Sequence, residues 1–409
     1  MSATGWPFGL MAEGVLFALG VLAGLAGLYL LVLALAALGY RVPRVGGAST
    51  KRLAVLVPAH DEEELIERCV ASLQSQDYPR DLFRIVVIAD NCTDRTAELA
   101  RRAGAEVLIR CAPEARGKGQ ALRWAMDHVL ARPDAPDAVV IVDADSVADR
   151  GLLAGLASHL DQGADVVQGE YLVLDELCSP GAQLRAAAFL LFHRVRFAGR
   201  SVLHLPCSLV GNGMLLSRRL VELHPWGAFT SAEDLEYSLA LRLAGVRPVF
   251  AGSALVRAPV AMSARSAQVQ RERWEGGRLH AQRTALPHLL REVVLRGRWE
   301  LVDAVVDLLV PPLGLLTAGS LGGMGLALAL WAGSVASFWL LVPWLVALAA
   351  IAAFVLVGLR AGDAPRWMYR RLLSAPLFLV RKVLGLAGVV RSRGAETWIR
   401  TERPSEHAG

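Results

Sequence analysis

The chain has 409 residues, of which 54% are hydrophobic and only 20% are charged, and its mean hydropathy is +0.41. This composition excludes a wholly soluble enzyme, because a soluble domain of this length carries more charge. The net charge is +5, and residues 360–409 hold ten Lys or Arg against four acids. Because this basic stretch follows an apolar region, a membrane surface explains it better than nucleic acid does. The five cysteines form no C-x-x-C pair, which argues against a zinc site or a disulfide framework.

The first predicted element is a transmembrane helix over roughly 15–39, in an N-terminal segment that ends at residue 40. Residues 8–40 are apolar apart from Glu13, and about 20 apolar residues suffice to span the hydrocarbon core of a bilayer. The first 40 residues contain no Lys or Arg, whereas residues 41–52 contain four and no acid. By the positive-inside rule, the N-terminus is expected outside and the following residues in the cytoplasm.

Residues 41–264 are predicted to form one cytoplasmic α/β domain. Short runs rich in β-branched residues predict buried strands at 53–57, 84–88, 105–109 and 138–142. Helical patterns separate these runs, at 61–76, 93–103 and 118–131. Strands that alternate with helices form right-handed crossovers, so the central sheet is expected to be mainly parallel. Ligands of such sheets bind at the carboxyl ends of the strands.

Acidic motifs follow three of the predicted strands, which places them at that ligand-binding edge. They are His60-Asp61-Glu62, Asp90-Asn91 and Asp143-Ala144-Asp145. Two carboxylates spaced as Asp143 and Asp145 can hold one Mg²⁺ or Mn²⁺ ion together with the phosphates of a ligand. A pair of aspartates that only caps a helix is the alternative interpretation.

Three further segments of the domain combine glycines or a helix start with polar side chains. Lys118, between two glycines at the start of a helix, suits a diphosphate, or else it is a solvated turn lysine. Asn212 lies in the glycine-rich segment 211–219, where it could bind a sugar hydroxyl or only shape a tight turn. Glu233 and Asp234 begin a helix, where the helix dipole alone would also favour acids.

The string QRERW occupies residues 270–274, in an arginine-rich segment (265–300) that is predicted to form interfacial helices. Gln270, Arg273 and Trp274 fall on one side of a helix. Arg273 can bind a pyrophosphate through two hydrogen bonds, and Trp274 offers a flat apolar face to a sugar ring. An amphipathic helix with a basic face is the alternative, and both interpretations can hold for the same helix.

Residues 301–360 are predicted to cross the membrane twice, because they are almost continuously apolar and too long for one span. The two predicted helices, joined by an outer turn near 332–336, are 304–330 and 337–359. Pro311 and Pro312 should kink or break the first of them.

The C-terminal segment, 361–409, is predicted to contain an interfacial helix over 368–390 and a basic cytoplasmic tail. Arg381 and Lys382 would lie in the middle of a span, where charge is costly in lipid. A fourth transmembrane span is the alternative.

The order of these motifs resembles that of membrane-bound family 2 glycosyltransferases, over about residues 50–300. DAD, the Glu-Asp pair and QRERW are similar to that family's DxD, ED and QxxRW motifs, and 57–63 and 87–97 resemble its nucleotide-binding segments. The first of these segments has His60 and Asp61 where the family often has Tyr and Asn. The resemblance implies a GT-A fold, which is Rossmann-like α/β with a mainly parallel central sheet, plus transmembrane and interfacial α-helices.

The resemblance also implies a role for each candidate residue. Asp234 would be the general base that takes the acceptor proton, in a single displacement that inverts the sugar. Asp143 and Asp145 would hold Mg²⁺ or Mn²⁺. The donor nucleotide and its diphosphate would contact Glu62, Asp90, Lys118, Asp143 and Arg273. The acceptor or the transferred sugar would contact Asn212, Glu233, Gln270 and Trp274.

Three functions are compatible with the resemblance. The first is a polysaccharide or oligosaccharide synthase that uses a nucleotide sugar, with UDP as the expected nucleotide. The second is a glycolipid-forming transferase with a membrane lipid as acceptor, and the third is an inactive scaffold in a secretion complex, against which the intact acidic motifs argue. We rank the first narrowly ahead because QRERW matches chain-extending synthases.

The membrane helices bear on this ranking and on where the protein lies. Three apolar helices are few to enclose a water-lined path for a polymer, so a synthase would need an oligomer or an export partner. The expected location is a bacterial inner membrane, crossed several times, with the catalytic domain in the cytoplasm.

Overall fold

The computed structural model describes residues 6–43, 46, 49–174, 179–259 and 264–372. These residues form two compact units. The membrane-helix unit contains residues 6–40, 190–203 and 309–372, and the catalytic unit contains the other described residues from 41 to 308. The strands are β1 (Leu53–Ala59), β2 (Phe83–Asp90), β3 (Glu106–Arg110), β4 (Ala138–Ile141), β5 (Val147–Ala148), β6 (Val166–Val173), β7 (Met214–Ser217) and β8 (Val249–Ala258).

The helices alternate with these strands through the catalytic unit and dominate the remainder. They are α1 (Trp6–Ala37), α2 (Ile66–Gln74), α3 (Thr96–Arg102), α4 (Lys118–Leu130), α5 (Leu152–Asp161), α6 (Pro180–Phe189), α7 (Arg196–Val202), α8 (Arg218–Leu223), α9 (Glu233–Leu243), α10 (Ala264–Arg296), α11 (Val302–Leu309), α12 (Leu313–Ala332), α13 (Val342–Ala361) and α14 (Arg366–Leu372). A π-helical turn over Leu190–Val195 precedes α7, and a 3-10 turn over Phe338–Leu341 precedes α13.

The catalytic unit is built on one sheet with the strand order β3-β2-β1-β4-β7-β6-β8-β5. β1 to β4 form a parallel block, and β6 is parallel to β8, while β7 lies antiparallel to both β4 and β6. The central strands are buried on both faces, as their near-continuous apolar sequences require. The predicted GT-A-type α/β fold with a mainly parallel sheet is therefore confirmed.

The two faces of the sheet have separate apolar cores. Residues of α2 and α5 pack on one face, around Cys69, Leu73 and Leu156. Residues of α4 and α9 pack on the other face, around Leu122, Trp226 and Tyr237. α4 begins at Lys118 and α9 begins at Glu233. The two helices lie on the same face of the sheet, and these first residues are close to each other.

The helix predicted over 304–330 is two helices, which confirms the predicted kink or break at Pro311 and Pro312. α11 ends at Leu309 and α12 begins at Leu313. Pro311 and Pro312 lie between them, and proline lacks the backbone N–H that a continuous helix needs. The interfacial segment 265–300 is mostly the single helix α10, whereas most of 368–390 lies outside the described residues.

Three of the described helical segments are long and apolar enough to cross a membrane. They are Met11–Ala37, Leu313–Ala332 and Phe338–Ala361. Their positions agree with the predicted spans, except that the second starts nine residues later than 304, because of the proline pair.

Candidate active site

The loops after β1 and β2 are tied to each other by hydrogen bonds. Asp61 Oδ1 accepts from the backbone N–H of Thr93 at 2.7 Å, and the His60 ring bonds the backbone oxygen of Asp90 at 2.8 Å. Asp61 has a φ of +53°, a left-handed conformation that Asp and Asn adopt more readily than other non-glycine residues. Asn, which the family often has at this position, adopts the same conformation readily, so Asp61 is compatible with it. Glu62 follows directly.

Asp90 ends β2 and is almost fully buried. Its Oδ1 accepts from Arg110 Nη1 at 2.6 Å and from Asn91 Nδ2 at 3.0 Å. Its Oδ2 has no hydrogen-bond partner among the described residues. Because a buried carboxylate oxygen is costly to leave unbonded, this atom is suited to accept a hydrogen bond from a ligand.

The loop after β4 carries both aspartates of the DAD motif, and Asn212 holds it in place. Asn212 Oδ1 accepts from the backbone N–H of Asp143 at 3.1 Å, and its Nδ2 donates to Ser146 Oγ at 2.9 Å. The Asn212 side chain is fully buried. Both polar atoms of the amide thus help to position the DAD loop, and the predicted contact of Asn212 with the acceptor stays a prediction.

Lys118 joins the DAD loop to the Glu-Asp pair. Its Nζ donates to Asp143 Oδ1 at 2.6 Å and to the backbone oxygen of Gly211 at 2.7 Å, and it lies 3.7 Å from Glu233 Oε1. Burial alone would lower the pKa of Lys118, but Asp143 and Glu233 raise it above its ordinary value. Lys118 is therefore a buried, charged amine at the centre of the site.

The glycine after Lys118 is required by the packing around it. A Cβ atom at Gly119 would lie closer than 3.0 Å to the backbone oxygen of Ala228, in the loop that leads to Glu233. Gly117, before the lysine, has a φ of +119°. These two glycines let the start of α4 approach the loop before α9 directly.

Glu233 and Asp234 form the first turn of α9 and are largely withdrawn from solvent. The Glu233 side chain is 12% exposed, and burial raises its pKa to about 7 against the opposing charge of Lys118. Burial also raises the pKa of Asp234 above its ordinary value, while Lys118 and the Leu235 amide oppose the rise. A buried carboxylate with a raised pKa is a competent proton acceptor near neutral pH.

QRERW lies on α10, and the glycine one turn after its Arg and Trp packs against the segment before α9. A Cβ atom at Gly277, one turn after Arg273 and Trp274, would clash with the Cβ of Ala232, the residue before Glu233. Arg273 lies close enough to Asp234 to lower the pKa of that carboxyl, and its Nε is buried without a hydrogen-bond partner among the described residues. Trp274 is 42% exposed, and Gln270 is half-buried one turn earlier.

Several residues of the site were missed in the sequence. Gln168 of β6 is fully buried, donates to the backbone oxygen of Asn212 at 2.8 Å and accepts from the N–H of Val210 at 3.0 Å. Ser146 bonds Asn212, Phe189 lies next to Trp274, and Tyr171 lies next to Phe189. The signal for Gln168 was a polar side chain inside an otherwise apolar strand.

The mainly parallel sheet, with acids gathered at the carboxyl ends of its strands, is of the GT-A type. Residues 51–277, more than half of the chain, match the family described as glycosyltransferase like family 2. The chain therefore belongs to glycosyltransferase family 2.

Curated relatives match over part of their length. The chain is 24% identical over 195 residues to a probable glycosyltransferase, YdaM, of Bacillus subtilis, covering 46% of each chain. It is 27% identical over 213 residues to the β-monoglucosyldiacylglycerol synthase of Synechocystis, covering 48% of this chain and 42% of that protein. The matched region thus spans less than half of either relative.

One similar solved structure extends over most of the chain. It is the mannosyltransferase PcManGT from Pyrobaculum calidifontis in complex with GDP-Man and Mn²⁺, with a TM-score of 0.53 and 20% identity. The match covers 85% of this chain and 97% of that one. At this level of identity, the similarity shows the fold alone.

Proposed function

We propose that this protein is a metal-dependent, inverting glycosyltransferase that acts at a membrane. It would move a hexosyl or N-acetylhexosaminyl group from a nucleotide sugar, with UDP as the expected nucleotide, to an acceptor hydroxyl. One observation carries the proposal: Lys118 contacts Asp143 of the DAD loop and lies 3.7 Å from Glu233, next to Asp234. The same contacts argue against an inactive scaffold, since a scaffold has no need of this buried charge network.

The DAD loop fits a divalent cation. Asp143 and Asp145 offer hard oxygen ligands at a strand end, and both side chains remain partly exposed. Bound Mg²⁺ or Mn²⁺ would neutralise charge on the departing diphosphate. Lys118 and Arg273 supply positive charge in the same region, and the unbonded Oδ2 of Asp90 can accept from a base N–H of the nucleotide.

The proposed reaction is a single displacement at C1 of the donor sugar. The acceptor oxygen forms a bond to C1 as the bond from C1 to the phosphate oxygen breaks, and its electron pair leaves with the nucleoside diphosphate. The acceptor proton passes to Asp234, whose raised pKa suits it to hold that proton. Attack from the face opposite the leaving group inverts the configuration at C1.

We propose a growing oligosaccharide or polysaccharide as the acceptor, with a membrane lipid as the alternative. The exposed face of Trp274, near the start of α9, favours a sugar. The apolar sequence of the described membrane helices favours a lipid, because residues 320–359 contain no charged side chain that could line a path for a polymer. Thr317 and Ser320 of α12 donate to carbonyl oxygens of their own helix, at 2.7 and 2.8 Å.

α1 and α13 pack too closely to leave a channel between them. A Cβ atom at Gly27 would lie 3.1 Å from the Cβ of Ala350, and one at Gly20 would lie 3.1 Å from the Cβ of Pro343. A polymer would therefore need a path supplied by an oligomer or an export partner. A lipid acceptor would enter from the bilayer and needs no such path.

Within the membrane-helix unit, the contacts support the proposed topology. Glu13, near the start of α1, accepts a hydrogen bond from the N–H of Ser337 at 3.1 Å, just after the turn between α12 and α13. The N-terminal end of α1 and that turn are thus at the same end of the unit. We place that end outside the cell and the catalytic unit in the cytoplasm.

α10 is proposed to lie at the membrane surface. Val294 and Leu295 are each 72% exposed, and Trp299 is equally exposed shortly after the helix ends. Arg291 and Arg296 flank these apolar side chains. Apolar side chains flanked by basic ones are typical of a helix that binds the headgroup region of a bilayer.

The test of the proposed function uses the full-length protein in lipid nanodiscs. Radiolabelled UDP- and GDP-sugars are supplied with Mn²⁺ or with excess chelator, and products are separated by size. We expect transfer that requires the metal and is lost in the Asp234→Asn variant. A ladder of products supports the polymer, whereas a single addition to lipid supports the glycolipid alternative. Full transfer in chelator would contradict metal dependence.

A further inference from the structure

Residues 209–213, which we call the bridging segment, contact two parts of the proposed active site. Asn212 of this segment accepts a hydrogen bond from the backbone N–H of Asp143 at 3.1 Å and donates one to Ser146 Oγ at 2.9 Å. Both partners belong to the loop between β4 and β5, which is proposed to hold the metal ion. The bridging segment is therefore attached to the metal loop by a side chain that is itself fully buried.

The same segment is attached to α9, the helix that carries the proposed base. The backbone N–H of Leu209 donates to Ser238 Oγ at 3.1 Å, and Ser238 is buried one turn after Asp234. Between the two attachments, the backbone oxygen of Gly211 accepts from Lys118 Nζ at 2.7 Å. A Cβ atom at Gly211 would lie 3.2 Å from Asp234 Oδ2 and 3.2 Å from Lys118 Nζ. The bridging segment therefore passes directly beside the base and the lysine.

One buried side chain, that of Gln168 on β6, fixes the backbone of the bridging segment. Its Nε2 donates to the backbone oxygen of Asn212 at 2.8 Å, and its Oε1 accepts from the backbone N–H of Val210 at 3.0 Å. The amide thus bonds the backbone on both sides of Gly211, whose φ of +78° is incompatible with a regular strand. β7 begins only at Met214, so these backbone groups lie before the ladder of the sheet and are satisfied by a side chain instead.

We propose that Gln168 is a positioning residue for the reaction, which sets the metal loop and the base against each other through the bridging segment. This inference rests on the proposed function and adds to it a residue outside DAD, the Glu-Asp pair and QRERW. Loss of the amide would leave the Asn212 carbonyl and the Val210 N–H without this partner. Because an unsatisfied buried polar group is costly, the segment would shift to regain a partner. Asn212 would then move the metal loop, and Gly211 would change the surroundings of the base.

The experiment compares Gln168→Met with a matched control, Gln76→Met. Methionine has nearly the length of glutamine but lacks the amide. Gln76 is also buried, and its Nε2 donates to the backbone oxygen of Asp149 at 2.7 Å while its Oε1 accepts from the N–H of Leu153 at 3.0 Å. These bonds hold the start of α5 and involve no residue of the bridging segment.

Three quantities are measured for each full-length variant in nanodiscs. The Kd of Mn²⁺ is measured by electron paramagnetic resonance of the free ion, in the presence of UDP or GDP, whichever the wild type binds more tightly. Thermal unfolding gives Tm. The third quantity is kcat at saturating Mn²⁺, measured as nucleotide release from the donor that the wild type uses.

We expect Gln168→Met to weaken Mn²⁺ binding and to lower kcat at saturating Mn²⁺, each by about 10–100-fold, the range for residues that orient the groups in direct contact with a metal. Gln76→Met should lower Tm by a similar amount and leave the Mn²⁺ Kd and kcat at their wild-type values. Ser238→Ala removes only the attachment to α9, so it should lower kcat at saturating Mn²⁺ with a smaller change in Mn²⁺ affinity.

Two results would overturn the inference while leaving the proposed function intact. One is an Mn²⁺ affinity in Gln168→Met equal to that of Gln76→Met. The other is a wild-type kcat in Gln168→Met at saturating Mn²⁺, because the bridging segment would then have no effect on the base. If Gln168→Met does not fold, Ser238→Ala decides, and a wild-type kcat in that variant overturns the inference. A wild type that neither binds Mn²⁺ nor transfers sugar from any donor would instead contradict the proposed function itself.

Discussion

Replacement of Gly277 by alanine tests whether α10 delivers catalytic side chains to the start of α9. A Cβ atom at this position would lie closer than 3.0 Å to the Cβ of Ala232, a separation that real Cβ atoms essentially never show. Ala232 cannot yield by rotating a side chain, since its Cβ is fixed to the backbone. Carbon atoms prefer to be about 3.5–4.0 Å apart, so one helix must move by at least about 0.5–1 Å.

The expected effect on catalysis is larger than the effect on stability. Arg273 and Trp274 lie one turn before Gly277 and would move with the helix. A misplacement of about 1 Å can cost on the order of 10²-fold in rate, so we expect kcat to fall by about that factor. Overpacking costs about 1–3 kcal/mol, and replacement of a helical glycine by alanine returns up to about 1 kcal/mol. The free energy of unfolding should therefore fall by only about 0–2 kcal/mol.

Gly276→Ala is the control for this substitution. It makes the same chemical change in the same helix, but the added Cβ would meet no described atom within 4 Å beyond its chain neighbours and its own helix backbone. Turnover is measured as nucleotide release with donor, acceptor and Mn²⁺, and folding is measured by thermal unfolding. We expect Gly276→Ala to keep wild-type kcat. If Gly277→Ala also keeps wild-type kcat, α10 does not position the reacting groups and the role given to QRERW is wrong.

The remaining predictions concern the metal, the base and the topology. Asp145→Asn removes one ligand charge, so turnover should be abolished and nucleotide affinity measured by calorimetry should no longer respond to Mn²⁺; retained turnover would refute the metal site. Asp234→Asn should lower kcat by about 10²–10⁴-fold with little change in donor affinity, and a collapse of donor affinity would indicate a binding role instead. Because burial raises the pKa of Asp234, the wild-type rate should fall on acidification at a pH above the ordinary pKa range of an aspartate. Lys118→Gln removes a positive charge that lowers this pKa, so the variant should lose activity at a higher pH than the wild type. An impermeant thiol reagent should label Ser334→Cys in intact cells but not the wild type, whose exposed Cys111 is placed in the cytoplasm. Equal labelling of both proteins, through Cys111, would contradict this topology.

The parallel half of the sheet was predictable because its signals are local. β1, β2 and β4 are short apolar runs between turns, and burial on both faces is what such runs require. The acids that follow them meet because the carboxyl ends of parallel strands share one edge. The start of α4 at Lys118 and of α9 at Glu233 followed from similarly local patterns.

The parts that sequence reasoning missed depend on pairings between distant segments. The role of Asn212 follows from two hydrogen bonds to a loop about 70 residues earlier, which no local pattern encodes. The cluster of Tyr171, Phe189 and Trp274 combines three elements in the same way. The break between α11 and α12, by contrast, was predicted from the proline pair, because proline acts on the backbone locally.

The charge balance of the site gives a physical reason for a divalent cation. Asp143, Asp145, Glu233 and Asp234 bring acidic groups together, and Lys118 and Arg273 are two cations that act on members of this group. Burial and the neighbouring charges of Asp234 and Asp143 raise the pKa of Glu233, and a nucleoside diphosphate would add further negative charge. One lysine cannot serve Asp143, Glu233 and an incoming diphosphate equally, because its charge is single and it already donates to Asp143 and the Gly211 carbonyl. A divalent ion bound by Asp143 and Asp145 would free Lys118 to interact with the phosphates or with the acidic pair, so the metal and the donor should each increase the affinity of the site for the other.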